Sequence, residues 1–224
     1  MAQRAAPSRT VRPMSEPDVV EAMVPGSALW WVSRQALQAR RRPRAAGLTI
    51  ERITTTALAI VDTEGLEALT VRRLADKLAT GSASLYRHVA SRDELLVLLV
   101  DHVLGGVRLP AEHLTGREKV EGLAAELRRV LTDHAELLPA LAASPLLGPN
   151  ATGGVEAGLA YLLEAGFEPS VAVPAHLALI DFVLGTVFFD TSQAGRAAAD
   201  VFAFGLGVFL DGLEHRQAGL KRER

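Results

Sequence analysis

At 224 residues, 49% of them apolar and with a net charge of −2, the chain can bury a substantial core as one large domain or as a small one joined to a medium one. The absence of cysteine excludes a disulfide framework, thiolate chemistry and any cysteine-ligated zinc site, and it suits a reducing interior. No basic-then-apolar leader is legible, because Arg4, Arg9 and Arg12 are followed by Glu16, Asp18 and Glu21, so a cytoplasmic protein is expected.

The charge is unevenly placed: residues 1–47 carry +5, residues 48–108 carry −1 and residues 109–224 carry −6. A basic front on an acidic body suits a protein with one DNA-facing end, although solvated surfaces also reach such imbalances by chance. Residues 1–47 read as a basic, largely flexible extension, since Pro7, Pro13, Pro17, Pro25 and Pro43 prevent a long helix. Residues 29–42 are the exception. There Trp30 with Leu37, and Arg34 with Arg41, fall at helical spacing and predict a short amphipathic helix. The run Arg40-Arg41-Arg42-Pro43-Arg44 reads equally as a solvated linker or as a basic arm that follows a minor groove.

From Leu48 the pattern sharpens. Thr49 is an N-cap, Ile50, Ile53, Ala57 and Val61 recur at helical steps, and Gly65 ends this first helix. Thr70 caps a second, short helix with Val71, Leu74, Ala75 and Leu78 as its apolar stripe, closed by the turn Ala79-Thr80-Gly81. A third is expected over residues 82–89. Ser91-Arg92-Asp93-Glu94 has the spacing of a capping box and opens a fourth helix that runs to about Leu104. A second box, Thr115 to Glu118, opens a series of further helices at about 116–135, 136–143, 152–165, 170–191 and 197–215. Their breaks fall at Pro139, at Pro145-Leu146-Leu147-Gly148-Pro149, at Gly166 and at Gly195. With no strand alternation, the expected class is all-α. The longest apolar stretch, residues 172–189, contains Pro174, His176 and Asp181, and reads as a buried helix rather than a membrane span.

Two short helices joined by a Gly-containing turn, with a preceding helix to bury their stripes, make a helix-turn-helix. Leu85 and Val89 point inward from the third helix, which leaves Ser84, Arg87 and His88 sharing its opposite face. The runs Leu66-Glu67-Ala68-Leu69-Thr70-Val71-Arg72-Arg73-Leu74-Ala75, Ser84-Leu85-Tyr86-Arg87-His88-Val89 and Asp93-Glu94-Leu95-Leu96 resemble the DNA-binding signature of TetR-type repressors. The C-terminal half is similar to that family only in helix count and in residues 145–149.

The resemblance implies a helix-turn-helix domain over 48–108 and a helical regulatory and dimerisation domain over 109–224. It implies a dimeric repressor on a palindromic operator, released by a small effector. Carried over position by position, it implies that Tyr86 and His88 touch phosphates and that Arg92 clamps the backbone from a helix start. It places Arg72 at a base edge or phosphate, Ser82, Ala83, Ser84 and Arg87 facing the bases, and Thr70 beside them as the cap of the second helix. Arg87 and Arg72 are the side chains able to bind guanine O6 and N7 together. Structural roles stay open for several of these: Tyr86 as a lid on the small core, His88 as an ordinary surface histidine, and Arg72 paired with Asp76.

Family resemblance also implies that the last two helices pair with a second copy. Leu177, Leu184 and Phe188 on one, with Phe204 and Val208 on the other, are the candidates, against an intramolecular core as the alternative. The remaining helices would enclose an apolar pocket with His134, Tyr161, His176 and Asp181 as polar anchors and Phe182 in its lining. Arg108 stands where tetracycline-binding members place a histidine, so neither tetracycline nor a metal is expected, and no cofactor is. No metal-binding histidine pair, nucleophile elbow, P-loop or dinucleotide fingerprint is present, which argues against an enzyme. A helical sensor without sequence-specific DNA binding is the alternative function.

Overall fold

The computed structural model describes residues 23–40, 48–190 and 197–222, so the basic arm at Arg41 to Arg44 and the break at Gly195 lie outside the described residues. Among the described residues the regular elements are ten α-helices and two 3-10 turns: α1 (Ala28–Arg40), α2 (Ile50–Glu64), α3 (Val71–Lys77), α4 (Ser82–Tyr86), α5 (Arg92–Leu104), α6 (Gly116–Asp133), α7 (Leu138–Ala142), α8 (Pro149–Glu164), α9 (Pro169–Asp190) and α10 (Ala197–Arg222). The 3-10 turns precede α3 and α7.

The caps explain where the helices begin. Thr49, Thr70 and Ser91 each accept the backbone N–H three residues on, and Thr115 does so within a complete box with Glu118. The serine box is half formed. Ser91 Oγ takes the Glu94 N–H at 3.1 Å, but the Glu94 carboxylate accepts from Ala90 N–H at 2.6 Å and pairs with Arg34. α3 ends in a Schellman motif, with Thr80 N–H on Ala75 O and Ala79 N–H on Asp76 O. The left-handed residue there is Ala79, at a φ of 51°, rather than Gly81.

Two apolar cores result. One gathers Ile53, Ile60, Leu69, Leu74, Leu85, Val89 and Leu99 from α2 to α5, and it includes Trp30 and Trp31 of α1. The other gathers Val120, Leu162, Phe167, Val183, Val187, Phe202 and Leu210 from α6 to α10. α5 serves both, with Leu95 and Leu99 on the first side and Val100 on the second. The short helix expected over residues 29–42 is α1, at residues 28–40, and it packs into the first core. Trp30, only 2% exposed, accounts for the docking of α1, since burying a large apolar side chain contributes about 1.5–3 kcal/mol.

The remaining differences are of length. α4 stops at Tyr86 because His88 and Val89 N–H both fold back on Leu85 O, which turns the chain to bury Val89. α10 runs on to Arg222, and Gln217 on its inner side donates to Gly166 O at 2.5 Å.

Candidate nucleic-acid interface

The face that the sequence assigns to DNA is open. Thr70, Arg72, Ser82, Ala83, Tyr86, Arg87 and Arg92 are exposed, and Ser84 and His88 are half-buried. Tyr86 is 54% exposed. Arg72 forms no ion pair with Asp76; its neighbour Arg73 instead makes a two-pronged pair with Glu64 at 2.6 and 2.8 Å. Arg73 is thereby committed to holding α3 on α2, while Arg72 is exposed at the second position of its helix.

On α4 the small residues Ser82 and Ala83 leave the backbone accessible, and Arg87 donates to Ser84 Oγ at 2.9 Å. That bond ties the guanidinium to the side chain three residues earlier on the same face. Arg92 is the first residue of α5 and donates to Leu66 O at 3.3 Å. Its charge stands at the N-terminal end of that helix, a combination that attracts phosphate. Sequence reasoning did not find what lies behind this face: Arg34 of α1 donates to His88 O at 2.7 Å and pairs with Glu94. The tryptophan pair beside Arg34 was the available signal.

The five residues read as effector contacts separate in space. His176 is 5% exposed, neither ring nitrogen has a hydrogen-bond partner, and it lines a small cleft between α6, α8 and α9. The rest of the lining is apolar apart from Gly158, with Val120, Leu123, Leu127, Leu179 and Ile180 among it. Burial pushes the imidazole pKa below its ordinary value, which favours the neutral form.

The other four are elsewhere. His134 caps the end of α6 and its Nδ1 lies 2.9 Å from Asp62 on α2, a link between the two cores. Tyr161 sits under the Lys119 ammonium, Phe182 stacks on Phe202 and Phe209, and Asp181 is exposed.

A third surface is apolar and open. Leu177, Phe188 and Phe204 are each more than half exposed, Phe204 at 74%, and Val208 and Val201 extend the same character along α10. Leu184 is half-buried. α9 is long and apolar enough to cross a membrane by composition, but its other side, with Ala172, Leu179, Val183 and Val187, is packed in the second core.

The comparisons with known proteins agree with this geometry. Residues 53–99 match the family model of bacterial regulatory proteins of the tetR family, and residues 109–199 match the tetracyclin repressor-like C-terminal domain. An HTH-type transcriptional regulator of Saccharopolyspora erythraea is 38% identical over 178 residues, spanning 77% of this chain and 73% of its own length. Among solved structures, the Streptomyces coelicolor TetR family protein ActR in complex with (S)-DNPA is similar at a TM-score of 0.68 and 33% identity, covering 77% of this chain and 100% of that one. BioQ with its double-stranded DNA operator gives a TM-score of 0.62 at 30% identity, covering 74% of this chain and 98% of that one. With an open helix-turn-helix face, a second helical core and a match in each half, the chain belongs to the TetR family of ligand-responsive, DNA-binding transcriptional regulators.

Proposed function

We propose that the chain is a cytoplasmic repressor that binds a palindromic operator as a homodimer and leaves it when a small, largely apolar effector enters the cleft at His176. The observation that carries the operator reading is the uncovered face of α4, with Ser82, Ala83 and Arg87 exposed between exposed Arg72 and Arg92. In this reading Arg87 and Arg72 read bases, while Tyr86, His88 and Arg92 hold phosphates. BioQ, which shares the fold, is seen with its operator, and ActR is seen with (S)-DNPA and with actinorhodin.

A single helix-turn-helix offers few contacts, so a second copy is needed to read two half-sites. The exposed apolar residues of α9 and α10 are the surface on which that copy would pack. The effector cleft is matched to a molecule that is apolar over most of its surface and carries one hydrogen-bonding group, because a neutral imidazole offers one donor and one acceptor.

Coupling runs through α5. Asp101 on that helix accepts the N–H groups of Asn150 and Ala151 at 3.1 and 3.0 Å, so it caps α8, a wall of the cleft. An effector that prefers one position of α8 therefore biases α5 and the spacing of the recognition helices, with coupling of about 1–3 kcal/mol. Gel-shift titration on the duplex upstream of the chain's own gene tests the reading. Sequence-selective binding that weakens steeply with salt is expected; binding without sequence preference would leave only a sensor.

A further inference from the structure

Arg34 stands on α1, upstream of the stretch matched by the family's DNA-binding model, yet it is 9% exposed and reaches into the helix-turn-helix. Its guanidinium lies 5.1 Å from the centroid of the Trp30 ring, and Trp30 is sealed in the first core. From that fixed stem Nη1 meets one Glu94 oxygen while Nη2 donates to His88 O at 2.7 Å. The other Glu94 oxygen accepts the Ala90 N–H at 2.6 Å. His88 and Ala90 belong to the turn between α4 and α5. One ion pair therefore grips the turn that Arg87 opens, between Tyr86 at the end of α4 and Arg92 at the start of α5.

We propose that Arg34 is a positioning residue for operator recognition: it sets the angle between the recognition helix and the phosphate-clamping start of α5, from a helix outside the DNA-binding unit itself. This rests on the operator reading above. The residue type fits the task, because a planar guanidinium serves a carboxylate and a carbonyl at once, whereas an ammonium is a single point charge. Base contacts tolerate little displacement of the recognition helix, while attraction to phosphates does not depend on sequence. Loosening the turn therefore penalises the operator and spares random DNA.

The test uses the full-length dimer and two duplexes: the tightest one selected from a random-sequence library, and its scrambled counterpart. Arg34→Met should lower affinity for the selected duplex about tenfold, the scale of one base contact, and leave the scrambled duplex and the salt slope unchanged. Arg34→Lys should recover part of the loss. Because Arg34→Met strands a buried carboxylate, the double variant Arg34→Met/Glu94→Leu keeps the fold with an apolar pair, and it should show the same selective loss. Selected-duplex affinity of the double variant within about twofold of wild type, inside the usual error of such comparisons, would overturn the proposal. So would a loss accompanied by a shallower salt slope, which would make Arg34 a phosphate contact. A wild-type protein that does not distinguish the two duplexes defeats the operator reading itself, before any variant is compared.

Discussion

Gly158 is the seat of His176: a β-carbon built on Gly158 would lie 2.3 Å from Cε1 and 2.6 Å from Nδ1 of the imidazole. The ring packs directly on the backbone of α8, and nothing larger than hydrogen fits beneath it. Gly158→Ala must therefore push the ring into the cleft or tilt α8. We expect effector affinity to fall at least about tenfold, a cost of about 1–3 kcal/mol in stability from overpacking, and operator affinity close to wild type. Calorimetric titration of effector beside a shift assay separates the two.

The same histidine makes a pH prediction. Its folded-state pKa lies below the ordinary value near 6.5 because burial disfavours the imidazolium. A depressed imidazole pKa leaves stability intact above the unfolded value and removes it as pH falls toward the folded one. Thermal melts from about pH 7 down to about pH 5 should thus show a stability loss that His176→Gln reduces. Parallel curves for the two proteins would mean that the imidazole is hydrated in solution.

Asp101 of α5 lies against Gly148, the residue that precedes α8. A β-carbon on Gly148 would sit 2.1 Å from Asp101 Oδ1 and 2.8 Å from Trp31 Cζ2, and so would displace the carboxylate that caps α8. Gly148→Ala should leave operator and effector each bound but blunt the release of one by the other. A coupling ratio equal to wild type would place the signal path elsewhere.

Phe204 is exposed, so replacing it should not disturb the fold of one subunit. Phe204→Glu should instead yield monomer in sedimentation experiments, since removing a central aromatic anchor costs about 2 kcal/mol or more at an interface. Operator binding should fall with it, and a variant that stays dimeric would move the interface off α10.

Much of this was legible from local pattern. Caps at Thr49, Thr70, Ser91 and Thr115 marked helix starts because side chain and backbone donor lie three residues apart. The face of α4 followed from helical spacing around Leu85 and Val89. What escaped is long-range. Glu94 has the spacing of a box partner for Ser91, but Arg34, sixty residues back, claims its carboxylate. His134 looked like a polar group in an apolar setting and turned out to serve Asp62, seventy-two residues away. Both depend on which helices cross, which no local window contains. His176, set amid apolar residues in the sequence, is also surrounded by apolar side chains once the helices pack.

The exposed side of α4 carries the account, and Arg87 is its most informative residue. Sites selected from random duplexes by wild type should form a palindrome. Selection with Arg87→Ala should keep that palindrome but relax one position in each half-site, a discrimination loss of about 1–3 kcal/mol. An unchanged preference in the variant would contradict the claim that this face reads the bases.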